Sequence, residues 1–196
     1  LPADLARSLG IKVVPLTVIF GSEAFLAGET IGADEFYERL GQSAEFPTTS
    51  QPSPGQFIET YQAAAEQSDE ILSIHISGDL SRTYNSALQA AKELGENGPR
   101  IEVVDSRTVS MGLGLIVTAA ARAAQQGAGL DVVAALVSDL IERTRIYVLL
   151  DTLEYLRRGG RIGRASAFLG TVLRFHPILT IAEGVVHPLE RPRSRS

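Results

Sequence analysis

Cysteine and tryptophan are absent from the 196 residues, methionine occurs once and histidine three times. Without cysteine the chain has no disulfide, no thiolate metal site and no thiol nucleophile, and a cytoplasmic setting is compatible with it. His75, His176 and His187 have no metal-ligand spacing, and no HExxH is present. No GxxxxGK[ST] phosphate loop occurs, which argues against a P-loop NTPase, and no GxSxG nucleophile turn occurs either. Gly112-x-Gly114 lacks the third glycine of a dinucleotide fingerprint and falls within a helical pattern. No apolar run reaches the length of a membrane span, no signal peptide is visible, and no repeat recurs at a fixed period. No pair of carboxylates has a spacing that points to acid–base work. No metal and no cofactor are expected. The chain lacks a starting Met and opens mid-pattern at Leu1-Pro2-Ala3-Asp4. We read this as a fragment boundary, with material expected beyond both ends.

What is present is hydroxyls, amides and helix starts. The stretch Glu70–Ala87 opens with Ile71, Leu72, Ile74 and Ile76, a buried-strand run. It breaks at Ser77-Gly78-Asp79 and restarts as a helix, with Tyr84, Ala87, Leu88, Ala91 and Leu94 three and four apart. A strand that runs through a small polar turn into a helix start is where open α/β sheets bind ligands, because the first helical amides lack intrahelical partners and favour anions. Ser81 and Thr83 add hydroxyls there. Two readings stand: one of them is simply the helix N-cap, or both face an anion.

A second hydroxyl cluster lies upstream in Phe46-Pro-Thr-Thr-Ser-Gln-Pro-Ser-Pro54. Its prolines predict an extended loop without regular structure. Ser53 to Gln56 fits a capping box with proline at the first helical position. Thr48, Thr49, Ser50 and Gln51 precede that cap, so they are either solvated or converge on a ligand. A third polar strand end, Asp105-Ser106, follows the run Ile101–Asp105. His75, inside a strand run, reads as a hydrogen-bonded core residue.

The pattern of strands and helices predicts an α/β fold, a mainly parallel sheet with helices on both faces, followed by a second α+β domain that reads as truncated. The division falls near Gly127-Ala128-Gly129, giving domains 1–128 and 129–196. The second contains a strand 145–150, short helices 153–158 and 165–173, and strands 175–182 and 185–189 turned by Glu183-Gly184. The net charge of −5 is uneven: from Asp151 onward eight arginines face four acids, so this third is +4 and the rest −9. The overall acidity argues against a generic nucleic-acid binder, while the local excess points to an anionic partner or to arginines paired with acids.

Five blocks, taken in order, resemble the DegV family. They are Thr48-Thr-Ser-Gln-Pro-Ser-Pro54; Ile76-Ser-Gly-Asp-Leu-Ser-Arg-Thr-Tyr84 with Ser86-Ala87; Val104-Asp-Ser106 with Ser110-Met-Gly-Leu-Gly114; Leu156-Arg-Arg-Gly-Gly-Arg-Ile162; and Pro177-Ile-Leu179. The resemblance implies a bacterial cytoplasmic protein that binds a long-chain fatty acid between two domains. It implies that the protein has no catalysis of its own and presents the carboxylate to a separate fatty acid kinase subunit, which forms the acyl phosphate. Carried over by motif, Thr49 and Ser81 hold the carboxylate, with Ser50, Ser77, Thr83 and Ser106 in the same region. Arg157, Arg158, Arg161 and Arg164 form a candidate partner surface. The chain departs from the family pattern at Gly78, Arg82 and His176, where serine, glycine and lysine are usual. The alternative is an α/β phosphotransferase or nucleotide-dependent transferase using the same anion-binding edge.

Overall fold

The computed structural model describes residues 1–43, 45–95, 98–169 and 176–190. Helix α1 (Ala3–Ser8) leads to a hairpin of β1 (Thr17–Phe20) and β2 (Glu23–Leu26), then α2 (Ala33–Gln42). A short strand β3 (Thr48–Ser50) runs into α3 (Pro54–Ala65). There follow β4 (Glu70–His75), α4 (Thr83–Leu94), β5 (Arg100–Asp105), α5 (Ser110–Gln125) and α6 (Leu130–Arg143). The rest comprises β6 (Tyr147–Leu149), α7 (Glu154–Arg158), a 3₁₀ helix at Gly163–Phe168, β7 (Ile178–Ala182) and β8 (Val185–Glu190). The expected helix end at Leu173, the expected strand start at Phe175 and the arginine-rich residues 191–196 lie outside the described residues.

The mixed α/β character and the parallel pairing are as expected, but the sheet is not mainly parallel. Among the described residues the strands form three small sheets, ordered β2-β1-β3, β4-β5 and β6-β7-β8, and only β4-β5 is parallel. Two of the four antiparallel pairs are joined by tight turns, and the other two, β1-β3 and β6-β7, pair across longer connections. Gly21 at φ +57° reverses β1 into β2, while Glu183 and Gly184, both at positive φ, reverse β7 into β8 as anticipated. The second correction concerns 48–50. Pro47 and Pro52 flank rather than interrupt this segment, so its amides are free to ladder, and it pairs antiparallel with β1, Thr49 opposite Val18.

The β4-β5 pair is covered on both faces, and side-chain alternation assigns the faces. Ile71, Ile101 and Val103 pack with Phe57, Tyr61, Ala87 and Ala90 of α3 and α4. Leu72, Ile74 and Val104 pack with Ile116, Ala120, Val133 and Val137 of α5 and α6. Thus α6, which follows the expected division at 128, shares its core with the parallel pair. A separate core of Leu153, Ala165, Phe168, Leu179 and Val186 holds the C-terminal elements together. Ile116 is 1% exposed inside the α5–α6 core, and its neighbours Leu113 and Val117 are half-buried.

Candidate functional site

Helix α3 runs antiparallel to β4, and the side chains prove the direction. Phe57 in its first turn contacts His75 at the strand's end, and Tyr61 one turn later bonds Ser73 two residues back. The start of α3 therefore stands at the C-terminal rim of β4. The Ser53 capping box is formed in full: Ser53 Oγ accepts the Gln56 amide, and Gln56 Oε1 accepts the Ser53 amide. Pro52, fully buried, anchors the link between β3 and α3. Thr48, Thr49 and Ser50 are exposed just upstream of it.

The turn after β4 reaches the same rim. The amides of Leu80 and Ser81 both donate to the Ser77 carbonyl at 3.0 Å, closing a compact turn. Asp105 at the end of β5 accepts the Gly78 amide on Oδ2 and the Arg107 amide on Oδ1. The Ser77 amide donates to the Thr108 carbonyl, and the Ser106 amide to that of His75. The Ser77–Thr83 and Asp105–Ser106 segments thus meet, as the sheet order required.

Neither reading of Ser81 and Thr83 as the helix cap holds in simple form. Arg82 occupies the cap position of α4 and makes no side-chain cap bond. Ser81 Oγ accepts the Thr83 amide at 3.3 Å and pairs with Thr83 Oγ1 at 2.8 Å. Ser81 is half-buried and Thr83 buried. The hydroxyls of Ser77 and Ser106 are spent internally: Ser77 Oγ donates to the Gly184 carbonyl at 2.6 Å, and Ser106 Oγ exchanges bonds with Thr108. Exposure therefore sorts the hydroxyl candidates, leaving Thr49 and Ser50 open, Ser81 at the surface of its turn, and Ser77 and Ser106 inside.

Both rim segments touch one C-terminal piece. Phe46, three residues before Thr49, stacks at 5.8 Å on Tyr155 of α7, and the Arg158 guanidinium lies 4.6 Å over the Phe46 ring. Arg161, just beyond α7, donates from Nε to the carbonyl of Leu80, whose side chain packs against the C-terminal core. The four arginines expected on a partner surface thus differ in employment. Arg158 also pairs with Glu154 and Arg164 with Glu183, whereas Arg157 is exposed. The role of Arg161 and the Ser77–Gly184 contact escaped the sequence reading. Partners 81 and 107 positions apart leave no local signature.

His75 lies on the α3 face of β4 with its Nε2 2.7 Å from Ser73 Oγ, which in turn bonds Tyr61. Burial pushes its pKa down to about 4, so the ring is neutral at pH 7 and behaves as the hydrogen-bonded core residue expected. Burial also raises the Tyr61 pKa, the Ser73 bond working against it. A shallow hollow of about 420 Å³, lined by Ala91, Gly95, Pro99 and Arg100, lies at the start of β5, the end remote from the hydroxyl rim. Among the described residues no group of three metal-ligating side chains assembles, and no helix is long and apolar enough to cross a membrane.

Strand ends, hydroxyls and the starts of two helices lie on one rim of an α/β protein. The particular family follows from comparison with known proteins. The model of the DegV family, described as uncharacterised, matches residues 1–196, and the chain belongs to that family. It is 39% identical over 194 residues to a DegV domain-containing protein of Deinococcus radiodurans, covering 99% of this chain and 68% of the relative. It is 36% identical over 195 residues to one from Caldanaerobacter subterraneus, covering 100% and 69%. Among solved structures, a fatty-acid-binding DegV family protein from Thermus thermophilus superposes with a TM-score of 0.91 at 42% identity, over 99% of this chain and 68% of that one. DegV from Bacillus subtilis, a fatty acid binding protein, gives 0.87 at 30% identity over 100% and 69%.

Proposed function

We propose that this chain binds a long-chain fatty acid and presents its carboxylate to a partner kinase for acyl-phosphate formation, with no catalytic step of its own. The observation that carries the reading is the likeness, over 99% of the chain, to a solved fatty-acid-binding DegV family protein at 42% identity. The arrangement of the rim supports it. Thr49 and Ser81 are assigned to the carboxylate, with Ser50 beside them and Thr83, Ser77 and Ser106 shaping the turns behind. Hydroxyls and helix amides hold a carboxylate through charge-assisted bonds without a cationic partner, leaving its oxygen available to a phosphoryl donor. The tail supplies most of the affinity: at about 0.8 kcal/mol per buried methylene, a long chain contributes roughly 10 kcal/mol before ordering costs. The site is assigned to the junction of two units, the parallel α/β unit and the C-terminal antiparallel one. Arg157, Arg158, Arg161 and Arg164 are assigned to the surface that meets the kinase, with the cytoplasm as its setting.

Mass spectrometry of an organic extract of the purified protein tests this. Near-stoichiometric fatty acid is expected. A bound nucleotide without lipid overturns the reading in favour of a transferase.

A further inference from the structure

The turn that carries Ser81 is gripped from outside its own unit at two points. At one end, Ser77 is 0% exposed and its hydroxyl donates to the Gly184 carbonyl at the tip of the β7–β8 hairpin. The same oxygen accepts the Asp79 amide at 3.2 Å, and the Ser77 carbonyl accepts the amides of Leu80 and Ser81. One buried serine thus ties the hairpin to three of the next four backbone amides. The fit at the tip is close. A side chain at Gly184 would stand 2.8 Å from both Ser77 Oγ and Asp79 Oδ2, and its φ of +83° already disfavours any other residue. At the other end, Leu80 inserts its side chain against the Leu153–Val186 core while its carbonyl accepts Arg161 Nε at 3.2 Å. Arg161 is itself braced, Nη1 donating to the Gly159 carbonyl.

We propose that Gly184, Ser77 and Arg161 are positioning residues: the C-terminal unit sets the place of the Ser81 hydroxyl through this two-point clamp, and so sets how well an acid head group is told from an uncharged one. The inference rests on the fatty-acid reading above. Hydroxyl recognition of a carboxylate depends on donor placement within tenths of an ångström, because the charge-assisted bond weakens steeply with angle and distance. A turn of five residues closed by only its own bonds leaves that placement soft. A turn held at Ser77 and at Leu80 by a separate packed core fixes it, in the way that supporting contacts orient a binding side chain elsewhere. The bonds that Ser77, Gly184 and Arg161 contribute to the clamp are polar and end on this turn, so removing them acts first on the placement of Ser81.

The test measures the affinities of oleate and of methyl oleate by displacement of a fluorescent fatty acid, for the wild-type chain and for Ser77→Ala, Gly184→Ala and Arg161→Ala. A loss of general packing weakens both ligands alike. Loss of the clamp lowers the acid-over-ester ratio by about tenfold while ester affinity stays near that of the wild type. Arg161 is exposed and its replacement leaves the buried serine intact, so that variant carries the test if Ser77→Ala does not fold. A wild type that prefers the acid, together with folded variants that keep the same preference, overturns the clamp alone. A wild type that binds neither ligand overturns the fatty-acid reading and the clamp with it.

Discussion

The ring of Phe57 meets that of His75 edge-on, with centroids 5.2 Å apart and an interplanar angle of 89°. This contact, with the Ser73–Tyr61 hydrogen-bond chain on the imidazole, closes the seam between α3 and β4 on a neutral histidine. Its pKa of about 4 lies below the ordinary 6.5. The unfolded chain therefore binds the extra proton first as pH falls. The stability contributed by the neutral ring is whole above pH 6.5, declines between 6.5 and about 4, and is spent below that. The shift corresponds to about 3 kcal/mol at most. Denaturant midpoints measured from pH 7 to pH 4 are expected to fall for the wild type and to fall less for His75→Gln. Parallel curves for the two would reject the assignment.

Thr49 on β3 and Ser81 on the turn after β4 both belong to segments that touch the region around α7, through Phe46 and Leu80 respectively. If both hydroxyls bond one carboxylate, the double substitution Thr49→Ala with Ser81→Ala removes two charge-assisted bonds, each about 1.5–3 kcal/mol. Oleate affinity by titration calorimetry is expected to drop at least tenfold, with the melting temperature nearly unchanged for the exposed Thr49. An unchanged affinity removes both residues from the site.

Elements whose stability is local were legible in the sequence. The Ser53 box, the helix carrying Tyr84 to Leu94 and the Glu183-Gly184 turn all follow from spacings within a few residues, and each formed where those spacings place it. Pairing between distant strands was not legible in the same way. Residues 48–50 carry two threonines and a serine with no alternating apolar pattern, so nothing local marked them as a strand. Their order comes from β1, thirty residues earlier in the chain. For the site, the residue types were legible but their exposure was not. Ser77 and Ser81 look alike in the sequence, yet a hairpin tip 107 positions away from Ser77 consumes one hydroxyl, while the other is half-buried and bonds its neighbour Thr83.

Ser53 offers a test of the local part. Its side chain and that of Gln56 satisfy each other's backbone amides at the start of α3, directly after the proposed Thr49 segment. Ser53→Ala is expected to cost about 1 kcal/mol. Ser53→Asp, which restores an acceptor, is expected to recover most of that. Equal losses in chemical denaturation for the two variants would show that the cap contributes through packing instead.

Gly163 tests the C-terminal unit. It opens the 3₁₀ helix at φ +53°, and a Cβ there would lie 2.7 Å from the Val186 carbonyl oxygen and 3.1 Å from its amide nitrogen. Those atoms are main chain in β8, held in register by β7, so they cannot swing aside as a side-chain tip does. Ala165 at 0% exposure and Val186 at 5% belong to the one core that these two elements share. Gly163→Ala therefore has to strain its own backbone and push β8 off that core at once. A loss of about 2–4 kcal/mol is expected from the strain and the opened packing together. For a chain of this length that is a fall in melting temperature of roughly 5–15 °C. Gly127→Ala supplies the comparison: it shares the positive φ, at +88°, but has no atom within 4 Å of its would-be Cβ, so it carries the strain without the clash. A similar fall for both variants would mean that backbone conformation alone, and not the close approach of β8, selects glycine at 163.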